Sequence, residues 1–445
     1  MSDLELAAPS SALGKLQRGR GAGWIEAVER SDGRELLMTC LAVDPRWDSQ
    51  VEDRASYYAE LCIALAVPAS QIDPQGLKDD DARWLRFDVL AEMARRDDAE
   101  AIAILQDYVR PGPDADTLVW HLSRLPNGSG LVGLEQLIID RFGADELAEL
   151  VDDSRSRLPW DHWAEQIPAI SRAIAAADVR SKSNRRSKPA PPQLDGPLEP
   201  ILAFDWGAVP PKALVHRTTN TATGAEVDLI RHAAVGPWSP TRGLALRLLG
   251  QRRDPFAIEV AAQTFSTDTI GRERAASYRY LRDLEAAVTL PLAREWILAD
   301  DDRSGVAATL MAMHSESEDV PSIRAAFNRA WERDWMYEIC SLVEALGRHP
   351  DHGPFPELRM VFTDVAYSYA RRRAARSMAA VDPDFSTAFA VECLWDCEAE
   401  TRLVGVDASH LDDRITRARI EVLAADQAGD QAVRSAAATR LTDPS

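Results

Sequence analysis

The feature that most constrains this chain is an arginine that recurs through its second half. Arg242, Arg274, Arg371, Arg402 and Arg434 each open an Ala/Leu-rich amphipathic run that closes seven positions later, at Leu249, Leu281, Met378, Ser409 and Leu441. Two more runs close at Met311 and Leu346, with Ser304 and Ile339 standing where the arginine would be. In chain order the closing positions step forward by 32, 30, 35, 32, 31 and 32. A period of that length predicts stacked helix pairs, each packing only on its neighbours. The expected fold is all-α, an α-solenoid of antiparallel helix pairs.

The local patterns agree with that period. Between Arg83 and Arg96, Leu85, Val89 and Met93 fall at steps of four, with Leu90 and Ala94 beside them and Trp84 and Phe87 widening the stripe. Such a stripe belongs to a core-facing helix. Asp97 and Asp98 supply a turn and an N-cap for a second helix over 99–109, which Pro111-Gly112 stops. In the second half, Asp254-Pro255 and Asp382-Pro383 read as helix starts: the Asp caps exposed amides and the Pro gives up a donor that has no partner there anyway. Gly250 stands where a helix C-cap is expected.

The chain is expected to divide into a disordered N-terminus (1–18), an N-terminal helical repeat region (19–178), a linker (179–200), an irregular insertion (201–240) and a C-terminal array (241–445). The linker carries Arg180, Lys182, Arg185, Arg186 and Lys188 ahead of Pro189, Pro191, Pro192 and Pro197, a flexible composition that could also serve as a basic arm. Within the insertion, 213–218 and 225–230 have strand-like content around a Thr/Asn/Gly loop. They read as a short β-hairpin or as an extended connection. The last unit, 431–441, is a lone helix that caps the stack.

Net charge is the strongest bulk statement. With 71 acidic and 51 basic side chains the chain carries −20. An acidic surface repels phosphate backbones and attracts basic partners. Nucleic acid is therefore a disfavoured partner and a basic protein the favoured one. Five scattered cysteines are too sparse for a secreted disulfide framework. Residues 1–11 lack a signal-peptide pattern, and no run of about 18 apolar residues is present to span a bilayer. The expected location is cytoplasmic.

The run Asp430-Gln431-Ala432-Val433-Arg434-Ser435-Ala436-Ala437 resembles the signature of HEAT repeats, with weaker echoes at 240–245 and 271–276. The resemblance covers 240–441 well and 20–178 loosely. It implies that Asp430 and Arg434 form part of a polar ladder between stacked turns. By the same resemblance, Arg242, Arg274, Arg371 and Arg402 hold the matching position, and the ladder is interrupted at Ser304 and Ile339. The resemblance speaks for architecture and says little of activity.

No Gly-rich phosphate loop, nucleophile elbow or His-Glu-x-x-His stands in the chain, so no catalytic residue, cofactor or metal is assigned. Cys393 and Cys397 share a helix face and His349 and His352 a Pro/Gly-rich turn, but neither pair has the further ligands that zinc needs. Arg372, Arg373 and Arg376 read as a solvated helix face, with a local anion site as the alternative.

The candidate contacts are aromatic. Trp160 and Trp163 flank an Asp-His pair, and read either as pocket walls or as a helix start clamped on its neighbour. Trp331 and Trp335 lie one turn apart at the end of a second helix, and are partner anchors if exposed and core if buried. Arg324 and Arg329 join them as contact candidates. The chain is accordingly expected to be a non-catalytic protein-interaction scaffold for a basic partner. The alternative comes through the resemblance: some HEAT-like proteins are DNA glycosylases that use concave-face tryptophans, an aspartate and basic side chains. A third reading is an array that assembles end to end.

Overall fold

The computed structural model describes residues 6–109, 115–123, 125, 134–142, 146–147, 149, 151, 159–165, 167–186, 190–206, 210–236, 239–266 and 272–442. The fold is all-α: among the described residues there is no β-strand. None of the described helices is long and apolar enough to cross a membrane. The chain forms two compact units, one of Met1–Lys188 with Arg359–Ser445 and one of Pro189–Leu358. The array expected over 241–445 is thus shared between the two units.

In the first unit, the helix Asp80–Ala94 starts where Asp79 accepts a hydrogen bond from the Ala82 amide at 2.9 Å. It buries Leu85, Phe87, Val89, Leu90 and Met93, the stripe its spacing demands. Asp97 then takes the left-handed conformation (φ 64°), and Asp98 caps the next helix, Ala99–Val109, by accepting from the Ala101 amide at 3.0 Å. Pro111-Gly112, the expected stop, lies outside the described residues. These helices share a core with Leu37, Leu41, Tyr57, Tyr58 and Leu61. The chain's last helices, Ala399–Ala408, Arg414–Ala425 and Gln431–Thr442, build a second core around Leu394, Trp395, Val406, Ile420 and Val433. Trp24 packs against both cores.

The helix Pro168–Arg186 runs into the expected linker, so 179–186 is helical. Of its cations, Arg180 stands 3.7 Å from Glu149. The side chains of Lys182, Arg185, Arg186 and Lys188 lie outside the description.

In the second unit the hairpin expectation fails. Lys212–His216 and Gly224–Ala234 are α-helices, joined by a wider turn over Arg217–Thr221. The reason is a capping box. The Thr223 hydroxyl accepts from the Glu226 amide while the Glu226 carboxylate accepts from the Thr223 amide. Arg217 reinforces it by gripping the carbonyls of Leu194 and Gly196 at 2.7 Å and the Glu226 carboxylate. Threonines that favour strands in isolation are here held helical by their partners.

Gly250 is not a cap. It lies inside the helix Ser239–Arg252, where a Cβ would meet the Tyr280 ring at 2.8 Å. Arg253 holds the left-handed turn instead (φ 56°). Successive helix pairs then bury Leu246, Leu249, Val260, Leu281, Leu290, Leu310, Phe327 and Leu346.

Candidate functional site

The polar heart of the first unit joins residues from both ends of the sequence. Glu52 accepts from the Trp47 and Asp48 amides with one oxygen, at 2.6 and 2.9 Å. With the other it accepts from Arg54 Nη2 at 2.8 Å and from the Ser368 amide at 2.7 Å. Arg54 also donates to the carbonyls of Gln17 and Ala366. Beside it Arg371 forks onto Asp396, with Nε 2.8 Å and Nη2 3.2 Å from the carboxylate oxygens, and Nη2 reaches Cys397 Sγ at 3.2 Å. All four charged side chains are fully buried.

Burial opposes the charges on Arg371 and Glu52, and the pairing outweighs it. Burial lowers and Asp396 raises the Arg371 pKa, with a net rise above the ordinary value. Burial likewise works against Glu52, yet Arg54 and the Ser368 amide hold its carboxyl below the usual range. At Cys397 the nearby guanidiniums of Arg54 and Arg371 do not offset burial. Burial, and then the Asp396 carboxylate, push its thiol up, so it stays protonated and inert. The cluster spends its charges on itself: it fixes the chain ends and offers no reacting group to solvent.

The arginines singled out by the repeat serve unlike purposes. Arg371 is the buried partner of Asp396. Arg402 donates to the Asp396 carbonyl at 2.9 Å and the Cys397 carbonyl at 3.3 Å. Arg274 pairs with Asp302 and lies over the Phe265 ring. Arg242 keeps a buried Nε that lacks a partner among the described residues. Asp430 caps its own helix through the Ala432 and Val433 amides, and Arg434 binds the carbonyls of Asp426, Gln427 and Gly429 just ahead of that helix. Ser304, which replaces the arginine, donates to Glu338 at 2.8 Å, and Glu338 also takes Arg329 Nη2 at 2.9 Å. Ile339 is buried.

A wider set of arginine–aspartate pairs, with Arg371 among them, reaches across turns, and sequence reasoning missed the pairing. Arg231 pairs with Asp254 and Arg359 with Asp382, both at a sequence separation of 23. Arg294 pairs with Asp319 and Arg371 with Asp396, both at a separation of 25. Asp254 and Asp382 are the residues of the Asp-Pro pairs read as helix starts. The signal was available as Arg231 and Arg359, each standing 23 positions ahead of the Asp of a second-half Asp-Pro pair, Asp254 and Asp382.

The aromatic candidates separate. Trp160 and Trp163 are 1% and 5% exposed and pack edge to face at 5.4 Å, which removes them as surface anchors. Trp331 is half-buried and stacks on Phe327 at 5.9 Å. Trp335, also half-buried, lies under two guanidiniums, Arg333 at 4.8 Å and Arg329 at 5.7 Å from its ring centre. Arg329 is bonded to the Ile297 carbonyl at 2.9 Å, and Arg324, half-exposed, pairs with Glu357 at 2.6 Å. The large apolar side chains that do face solvent nearby are Tyr337, 64% exposed, and Leu298, 56% exposed.

The remaining candidates are held by their neighbours. Arg372 and Arg376 both pair with Glu400 at 3.1 Å, and Arg373 reaches the Tyr369 hydroxyl at 3.3 Å, so no anion site opens there. Cys393 and Cys397 are buried free thiols. His349 is buried against the Ser315 hydroxyl at 2.9 Å; burial, then Arg348 and His352, lower its pKa. Among the described residues no group of three or more His, Cys, Asp or Glu side chains is placed to hold a metal ion.

No protein-family model matches the chain, and no curated protein matches it. A solved structure titled an engineered protein is similar at 14% identity over 95% of this chain and 98% of its own. Its TM-score of 0.26 is too low to carry an argument.

Proposed function

We propose that this chain is a non-catalytic docking protein, a HEAT-like α-solenoid whose acidic surface binds a basic partner protein. The observation that carries the reading is a run of side-chain bonds set one repeat apart. The Tyr278 hydroxyl meets Thr309 and Thr309 meets Ser341, at sequence separations of 31 and 32; Ser304 meets Glu338 and Ser315 meets His349, both at 34. Regular contacts at the period of the sequence are what stacked repeats make.

In such a stack the buried polar groups serve cohesion, and the surface is left for binding. A net charge of −20 speeds encounter with a cationic partner and makes the complex sensitive to salt. The five cysteines, all free and buried, suit the reducing cytoplasm we propose as its location.

The test is affinity enrichment on the immobilised full-length chain at about 50 and about 500 mM salt, with duplex DNA and an alkylated duplex assayed alongside. The proposal expects captured proteins to be enriched in high isoelectric points and released at high salt. Retention of DNA with release of alkylated bases would replace it with the glycosylase alternative.

A further inference from the structure

We propose that two neighbouring turns of the second unit, 298–302 and 334–337, form a docking surface for a cationic polypeptide segment with apolar side chains between its basic residues. Leu298 and Tyr337 are its apolar anchors. This rests on the reading of the chain as a scaffold for basic partners, and gives that reading a place and a chemistry.

The second turn is built rather than loose. The helix Val320–Glu332 ends where the Trp335 amide donates to the Ala330 carbonyl at 2.9 Å and the Asp334 amide to the Trp331 carbonyl at 3.3 Å. That pair of bonds is a Schellman cap, and it requires the left-handed backbone that Asp334 adopts (φ 54°). An aspartate there tolerates the conformation less well than glycine would, but adds a charge. The cap sets Trp335 beneath Arg329 and Arg333, and the chain then turns into the helix Met336–Leu346 with Tyr337 facing out.

The same two arginines tie in the first turn. Arg329 donates to the Ile297 carbonyl and Arg333 to the Asp300 carboxylate. Ile297 is buried while Leu298, the next residue, faces solvent. Leu298 and Tyr337 therefore border one clamped aromatic platform. Exposed large apolar side chains on a base tied down by these hydrogen bonds make an anchor site.

Charge selects the occupant. The stretches 298–303 and 332–337 hold five carboxylates, Asp300, Asp301, Asp302, Glu332 and Asp334, against two arginines. Arg303 is taken by Asp301, Arg333 by Asp300, and Arg274, from outside these stretches, by Asp302, which leaves Glu332 and Asp334 as the carboxylates that set the charge of the rim. Glu332 and Asp334 are exposed, so the rim repels phosphate and attracts lysine or arginine.

Fluorescence anisotropy with the full-length chain and two labelled peptides tests this. One peptide alternates arginine and leucine; the other alternates arginine and serine, with equal charge and no anchor. The wild type is expected to prefer the leucine peptide by about tenfold. Leu298→Ser with Tyr337→Ser is expected to erase that preference while leaving the serine peptide's affinity unchanged. Glu332→Gln with Asp334→Asn should weaken both peptides more than the first-unit pair Asp80→Asn with Asp81→Asn, and matched melting curves guard against unfolding. A leucine preference that is absent from the wild type, or that survives the double serine variant, overturns the docking surface. If both peptides still bind in that case, the basic-partner reading stands without this surface. If neither binds the wild type at low salt, that reading fails as well.

Discussion

Arg371 and Asp396 face each other with no part of either side chain exposed, the guanidinium Nε 2.8 Å from one carboxylate oxygen and Nη2 3.2 Å from the other. Arg371 Nη2 also reaches toward the carbonyl of Gly19 at 3.4 Å, from 352 positions further along the chain. The pair thus sits where the two ends of the chain meet. Removing one partner strands a buried charge, so Asp396→Ala is expected to cost about 3–5 kcal/mol in urea denaturation. Replacing both, Arg371→Met with Asp396→Leu, should recover most of that loss, because neither partner then leaves an unpaired charge buried. A single substitution that leaves the midpoint unmoved would place the pair outside the folded core.

The close approach of the N-terminal segment rests on glycine. A Cβ on Gly19 would lie 2.5 Å from Cys397 Sγ and 2.8 Å from Arg54 Nε, at a φ of +68°. A Cβ on Gly21 would run into the Glu392 carbonyl. Gly19→Ala and Gly21→Ala are each expected to destabilise by about 2–4 kcal/mol. Gly76→Ala is the control: its φ is +86° but nothing lies within 4 Å, so only backbone strain of about 1 kcal/mol is expected. Thermal unfolding of the three variants side by side measures the difference.

Asp88 is expected to give an unusual pH dependence. Burial raises its carboxyl to about 6; Asp53, Asp44 and Glu92 add to the rise and Arg46 opposes it. His121 Nε2 lies 3.4 Å from its Oδ1. A carboxyl raised on folding binds its proton more tightly in the native state, so its contribution to stability falls as pH climbs from about 4 to about 6. Asp88→Asn should therefore stabilise the protein near neutral pH and be close to neutral below about pH 4. The gain is on the order of 1 kcal/mol, smaller than full linkage implies because the side chain is 32% exposed. Denaturation of variant and wild type at both pH values checks the sign.

Glu338 takes the role that the missing arginine at 304 leaves open. It receives the Ser304 hydroxyl on one oxygen and Arg329 on the other, and its side chain is 6% exposed. Glu338→Ala is expected to cost about 2–4 kcal/mol and to raise amide exchange in the helix Met336–Leu346. Glu338→Gln keeps an acceptor for one of the two donors and should lose less.

The sequence is most legible where structure is local. The stripe of Leu85, Val89 and Met93, the Asp98 cap and the Asp-Pro start at 254 follow from periodicity and capping chemistry, and helices begin at or within a residue of where those signals put them. At Asp382-Pro383 the helix starts only at Phe385, with Asp384 at its N-cap. The failures have physical causes. Over 213–230 strand propensity points one way and the Thr223–Glu226 capping box the other, and the box prevails. Gly250 has the look of a cap because the Tyr280 ring that needs its missing Cβ comes from the following repeat. Glu52, Arg54 and Gly19 give no signal, since their partners come from the far end of the chain and no periodic pattern encodes such a meeting. At the proposed surface the tryptophans Trp331 and Trp335 stand beside the side chains that face solvent. Which side chains face solvent there, Tyr337 and Leu298, depends on how Arg329 and Arg333 fold over Trp335.

Acidic docking is tested most directly by titrating the full-length chain with a short arginine–leucine peptide and, separately, with duplex DNA. Anisotropy is read at about 50 and about 300 mM salt. The expected result is peptide binding that weakens as salt rises, with no DNA complex at either concentration. A chain that binds the duplex and ignores the peptide contradicts the account.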